Sequence, residues 1–88
     1  MDDEIKKLVE SLNVSPVMLG IACAGAGSQA VKWLLGCPGA SRTVLEAVMP
    51  YSPNSLAEFL GKQVDQAVSK QTALQMAGCT YRRAVRLR

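Results

Sequence analysis

Apolar residues at the start of the chain recur at helical spacing. The residues that follow this period are Ile5, Leu8, Val9 and Leu12. The pattern predicts a helix over residues 3–12, and acidic residues in its first turn suit the positive end of the helix dipole. Asn13 closes this helix, and Pro16 prevents its continuation.

The next segments alternate between continuous apolar runs and helical patterns. The run "VMLGIACA" at 17–24 favours a short strand buried on both faces, and "RTVLEAVMPY" at 42–51 favours a second strand. A glycine-rich turn follows the first run, and Ser28 is the expected N-cap of a helix that ends near Gly36. Residues 38–39, Pro and Gly, then form a turn.

The remaining chain predicts two more helices. Pro53 suits the first turn of a helix that Gly61 terminates. Ser69 is the expected N-cap of a final helix over residues 70–88. Small residues line one face of that helix and suit close packing; this stripe comprises Ala73, Met76, Ala77, Thr80 and Ala84.

The order α-β-α-β-α-α predicts a layered α/β fold, with a short parallel sheet flanked by helices. One domain over residues 1–88 is expected. One βαβ unit seldom buries both faces of its strands, so the pattern indicates roughly the N-terminal half of a larger domain. We therefore expect a homo-oligomer, docking to another domain, or a truncated gene product.

The composition of the chain argues against several kinds of catalytic, metal and disulfide site. The chain has no histidine, which excludes Ser-His and Cys-His nucleophile systems. Its three widely spaced cysteines predict free thiols rather than a zinc site or a disulfide framework. The acidic N-terminus is unlike a secretory signal, and no apolar run reaches the ~18 residues of a membrane span. A cytoplasmic protein without metal, cofactor or membrane contact is expected.

The net charge of +3 comes from four arginines in the last seven residues. They predict either a solvated helix end that complements the dipole or a surface that contacts phosphates. A nucleic-acid partner is not expected, because Tyr81 is the only aromatic residue among them and no groove-reading motif accompanies them.

The turn Gly25-x-Gly27-x-x-Ala30 satisfies the spacing of a dinucleotide-binding fingerprint. Such a turn could cradle a nucleotide phosphate with Gly25, Gly27 and Ser28, since glycines admit a pyrophosphate and the helix start supplies N–H donors. Glu46 lies about where a ribose-binding acid is expected, but inside the second strand. The alternatives are a dinucleotide-binding half-unit and a simple tight turn.

Two residues near this turn are candidates for catalysis. Cys23 is the candidate nucleophile, because a helix N-terminus lowers the pKa of a nearby thiol; its alternative role is a buried apolar filler. Tyr51 ends the second strand, where α/β folds place ligands, and Lys32 is a possible partner.

Short motifs in collinear order add a family resemblance over about residues 15–88. They are Cys23 and Gly25 in the turn, "PGAS" at 38–41, "YS" at 51–52, "LG" at 60–61, "AVS" at 67–69 and "MA" at 76–77. This succession resembles the C-terminal domain of the competence/damage-inducible CinA family. The resemblance implies nicotinamide-mononucleotide amidase activity, with a turn serine as nucleophile assisted by a lysine and a tyrosine.

This chain departs from that family at the residues that carry the chemistry. With one extra residue in the turn, Ala22 occupies the nucleophile position and Leu56 the lysine position, whereas Tyr51 is retained. Cys23 matches the family's cysteine, not its nucleophile. We expect a non-catalytic CinA-like domain that binds a nucleotide phosphate or acts as an interaction module. A residual amidase using Cys23 or an unrecognised group with Tyr51, and a homodimer, are the alternatives.

Overall fold

Five helices and two strands make up the fold in a computed structural model that describes all 88 residues. Helices flank a short parallel sheet, which confirms the predicted α/β layout. In chain order the elements are α1 (Asp3–Asn13), β1 (Leu19–Ala22), α2 (Ser28–Leu35), α3 (Ala40–Thr43), β2 (Val44–Val48), α4 (Pro53–Leu60) and α5 (Lys70–Leu87).

The sheet contains only β1 and β2, which pair in parallel. The Cys23 amide extends the ladder beyond β1 by donating to the Val48 carbonyl at 3.0 Å. Every residue of β1 is half-exposed, so the predicted burial of this strand on both faces is wrong. The reason is that β1 has no second neighbouring strand. It is also shorter than predicted, because the Val17 amide donates to the Ser15 hydroxyl in a local turn.

Helix α5 packs closely over β1 at Gly20. A Cβ atom at this position would lie 2.9 Å from Thr80 Cγ2 and 3.5 Å from Ala84 Cβ. Only a glycine lets the helix and strand backbones approach this far. Met76 and Thr80 are buried and Ala84 lies at the contact, so three of the five residues in the small-residue stripe pack as predicted.

An ion pair holds α5 against β2 as well. The Arg83 guanidinium donates from Nε to Glu46 Oε1 and from Nη2 to Glu46 Oε2, the latter at 2.8 Å. A two-point pair of this kind fixes the orientation of both side chains. Arg83 is therefore part of the fold, which corrects the prediction of a wholly solvated arginine end.

Asn13, the last residue of α1, links separate segments of the chain through buried hydrogen bonds. Asn13 is buried, donates from Nδ2 to the Pro38 carbonyl at 3.0 Å, and accepts from the Thr43 hydroxyl at 2.8 Å. Thr43 is itself only 1% exposed. These bonds connect α1 to the turn before α3 and to the last residue of α3.

The helix caps follow the sequence with one exception. Ser52 and Ser69 accept hydrogen bonds from the third helical residues of α4 and α5, and Gly61 ends α4 at a φ of +79°. For α2, however, the N-cap is Gly27, and Ser28 is the first helical residue. Gly27 takes the cap because its φ of +108° is open to glycine but costly for serine.

The fold leaves much of its apolar surface exposed. Only 11 of 88 residues are buried, and the radius of gyration is 13.9 Å, against about 12 Å for a compact chain of this length. Large exposed apolar side chains include Val68, Tyr81 and Met18. Four of the thirteen large exposed apolar side chains lie together beside β1: Met18, Val68, Tyr81 and Val85.

Candidate functional site

The predicted site residues surround the end of β1. The turn that follows β1 depends on two glycines with positive φ, +142° at Gly25 and +108° at Gly27. No atom lies within 4 Å of a Cβ placed at Gly25, so the backbone conformation alone requires glycine there. The turn is thus an open, uncrowded loop that delivers the chain into α2.

The start of α2 has free donors. No side chain caps this helix and no acidic residue lies in its first turn. The amides of Ser28 and Gln29 donate to no backbone carbonyl, whereas the Ala30 amide donates to the Gly27 carbonyl at 3.1 Å. Ser28 and Gln29 are exposed residues, so an anion can approach the start of α2 from solvent.

Cys23 lies beneath the same turn. It is 8% exposed, and its Sγ lies 3.4 Å from the position of a Cβ at Gly27. All three cysteines are free thiols; Cys37 is buried too, and Cys79 is half-exposed. The burial of Cys23 is what a small apolar filler requires. Its thiol forms no hydrogen bond, so no neighbouring group acts as the base that a nucleophile needs.

Tyr51 lies three residues after the end of β2 and is 73% exposed. It forms no hydrogen bond with Cys23, and Lys32 is exposed on α2 without a salt-bridge partner. The two substituted positions differ in burial. Ala22 ends β1 and is half-exposed, whereas Leu56 is 2% exposed in the core. Nothing in this group of residues supplies an activated nucleophile with its base.

Glu46 is engaged by Arg83. The hydrogen bonds and positive charge of Arg83 hold the pKa of the Glu46 carboxyl below its usual value, outweighing partial desolvation, which raises it. Both carboxylate oxygens accept from the guanidinium, so a ribose-binding role for Glu46 would require this pair to break. In this position Glu46 therefore helps to hold α5 against β2.

A large apolar groove runs beside β1, and sequence reasoning missed it. We name it the β1–α5 groove; its volume is about 860 Å³, and 16 of its 21 lining residues are hydrophobic. Its base is β1 with the turn that follows, and its wall is the exposed side of α5 at Ala73, Ala77, Tyr81 and Val85. The small-residue stripe was the signal for it, because all five residues of that stripe line the groove.

A second, polar pocket of about 460 Å³ lies between residues 62–66 and the first turns of α5. The Gln75 side-chain oxygen is buried there without a hydrogen-bond partner. No group of three or more His, Cys, Asp or Glu side chains could hold a metal ion.

None of the helices is both long and apolar enough to cross a membrane. Comparison of the chain with family models, curated proteins and solved structures found no match.

Proposed function

We propose that this chain is a non-catalytic CinA-like α/β unit that acts as an interaction module, with the β1–α5 groove as its binding surface. The observation that carries the proposal is the groove itself, an apolar channel of about 860 Å³ beside an unpaired sheet edge. A concave and mostly apolar lining is a common property of binding sites.

The exposure of individual side chains supports this function. Val68 is 88% exposed, Tyr81 71%, Met18 53% and Val85 41%, and all four line the groove. Burying such side chains against a partner releases roughly 25 cal/mol per Å² of apolar area. A partner that covers these four side chains therefore gains stability from their burial.

The absence of catalysis is proposed from the residues at the end of β1. Amide hydrolysis needs a nucleophile and a base within hydrogen-bond reach, whereas Ala22 has no reactive group and Cys23 is buried without a hydrogen-bond partner. We expect no ammonia release from nicotinamide mononucleotide at high protein concentration. Turnover that disappears in Cys23→Ser or Tyr51→Phe would establish the residual amidase instead.

The glycine turn supports a second candidate function, the binding of a nucleotide phosphate. The uncapped start of α2 favours it, because the Ser28 and Gln29 amides are free of backbone acceptors and no acid opposes an anion there. Gly25, Gly27 and Ser28 would form the cradle. The two candidate functions use neighbouring surfaces, since Ala24 and Ala26 of the turn also line the groove.

A substitution in the groove tests the interaction function. Ala77→Arg places a long charged side chain on the exposed α5 wall, while Leu74→Arg adds the same charge on α5 at an exposed position outside the groove. We expect a random peptide library displayed on phage to enrich binders to the immobilised protein. Binding of these peptides is lost in Ala77→Arg and kept in Leu74→Arg. Enrichment of no peptides, or of peptides indifferent to Ala77→Arg, contradicts the proposed function.

A further inference from the structure

We propose that the groove receives an extended apolar segment of another protein, which adds to the open edge of β1 as a third strand and carries carboxylates near the C-terminal end of α5. This inference rests on the proposed interaction function and specifies the chemistry of the partner. Three observations lead to it: the direction of free backbone groups, the lining of the groove and the charge of α5.

The backbone of β1 presents hydrogen-bonding groups on its outer edge. The Cys23 amide points toward β2, where it donates to the Val48 carbonyl at 3.0 Å. Because backbone groups alternate in direction along a strand, the amide and carbonyl of Ala22 and Gly20 point the other way. No strand pairs with that edge. An extended peptide supplies the missing donors and acceptors, whereas a helix has already used its own.

The lining of the groove favours apolar side chains on the bound strand. On the α5 side of the groove, small side chains leave space for those of a bound strand. These small residues are Ala73, Ala77 and Ala84, and the larger Val85 and Tyr81 lie beside them. Alternate side chains of an added strand point to one face of the sheet, so every second residue would enter this space. Arg88 is the only charged residue among the 21 that line the groove.

The positive charge of α5 favours a partner with negatively charged side chains. Residues 70–88 contain five basic residues and no acid, and Glu46 neutralises only one of them, Arg83. Arg88 lies in the groove lining, one helical turn beyond Ala84, which packs at Gly20. Carboxylates on the bound segment would meet this unbalanced positive charge, which favours an acidic partner and speeds its association.

The same observations disfavour other occupants. A second copy paired through β1 would bring two α5 helices together, and their like charges repel. A single-stranded nucleic acid needs a basic groove with stacking aromatics, but this lining has one charge and one aromatic residue, Tyr81. Acyl chains of a membrane would leave the outer amides of β1 unpaired.

Synthetic peptides test the inference on the whole chain. The probe is a nine-residue peptide of alternating valine and threonine with two aspartates at one end, made with the aspartates at either end. Its controls carry lysine for aspartate or N-methyl groups on alternate residues, and an amphipathic acidic helical peptide is the fourth probe. Affinity is measured by fluorescence anisotropy, and hydrogen exchange of the Gly20 and Ala22 amides reports strand addition.

We expect one aspartate peptide to bind about tenfold more tightly than its lysine counterpart at low salt, and to slow exchange at Gly20 and Ala22. Arg88→Gln should reduce that ratio, whereas Arg82→Gln, on α5 but outside the groove, should preserve it. Ala77→Arg should abolish binding. N-methylation should also abolish it, because the backbone bonds to β1 are lost.

Other outcomes separate this inference from the proposed function. Binding of only the helical or lysine peptide, if sensitive to Ala77→Arg, overturns the strand inference and leaves an interaction module. A homodimer in light scattering that Ala77→Arg dissociates, or Ala77-dependent binding of oligothymidylate or phosphatidylserine vesicles, overturns it as well. If no peptide binds in a manner sensitive to Ala77→Arg, the proposed function itself fails.

Discussion

Arg83 on α5 clamps the Glu46 carboxylate on β2 with two hydrogen bonds, and the two residues are 37 positions apart in the chain. Glu46 faces α5 because it is paired in register with Gly20, the residue on which α5 rests. The ion pair and the Gly20 contact therefore both hold α5 against the same face of the sheet. It is the only ion pair in the structure, and its titration is accessible to measurement.

Stability should fall with acid through this pair. Arg83 lowers the pKa of Glu46 in the folded protein, so the unfolded chain binds a proton more readily. The contribution is complete above the unfolded pKa of about 4.3 and is lost as the pH falls through the folded value. We expect urea unfolding from pH 7 to pH 3 to show a shallower acid loss for Glu46→Gln than for the wild type. Glu58→Gln, at an exposed carboxylate without an ion pair, should retain the wild-type slope.

A methyl group at Gly20 should loosen the α5 contact. Gly20→Ala places its Cβ 2.9 Å from Thr80 Cγ2, and such overpacking costs about 1–3 kcal/mol of unfolding free energy. Thr80→Ser removes that methyl while keeping the hydroxyl that donates to the Met76 carbonyl. The double variant should therefore recover part of the loss in denaturant unfolding. Equal stability of Gly20→Ala and the wild type would show that α5 does not rest on β1 here.

Removal of the Asn13 side chain should destabilise the other half of the fold. Asn13→Ala leaves the buried Thr43 hydroxyl and the Pro38 carbonyl without their partner, at a cost of about 2 kcal/mol. Thr43→Val removes the other end of one bond, and the pair of changes should be less than additive. As a control, Ser11→Ala removes an exposed hydroxyl of α1 and should change stability by less than about 0.5 kcal/mol. A cost for Ser11→Ala that matches that of Asn13→Ala would refute the special role of the buried amide.

Phosphate binding at the glycine turn can be separated from turn stability. Gly25→Ala and Gly61→Ala both force alanine into positive φ, with no atom within 4 Å of the new Cβ. Each should cost roughly 1–3 kcal/mol of stability. Only Gly25→Ala should weaken the amide shift changes at 25–28 during titration with inorganic phosphate. Absence of such changes in the wild type removes this second candidate function.

The three thiols should differ in reactivity. Cys23 and Cys37 are 8% and 6% exposed, whereas Cys79 is half-exposed and accepts a hydrogen bond from Arg82. A disulfide reagent should modify one thiol of the native protein rapidly and the other two only on unfolding. Cys79→Ser should remove the rapid phase. Rapid modification of Cys23 in that variant would revive its role as a nucleophile.

The sequence by itself determined four of the five helices and the parallel arrangement of the two strands. It missed the short helix α3, which occupies the start of the predicted second strand, so β2 covers only Val44–Val48 of the predicted 42–51. Pro53, Gly61 and Ser69 act within one turn of their own positions, so local backbone rules fix them. The predicted first helix ends at Asn13 for the same reason, since the chain turns before Pro16. The glycine turn was also predictable, although Gly27 rather than Ser28 caps the helix because only glycine suits its φ.

Tertiary structure alone decided which faces remain open. Whether Ala77 enters the core or lines a groove depends on how α5 crosses β1, and that contact joins Gly20 to residues 60 or more positions away. Glu46 likewise suggested a ribose contact until its partner on α5 was known. Such pairings rest on register and helix orientation, which short-range patterns do not encode. The open edge of β1 and its groove, on which the proposed function depends, are therefore properties of the assembled fold.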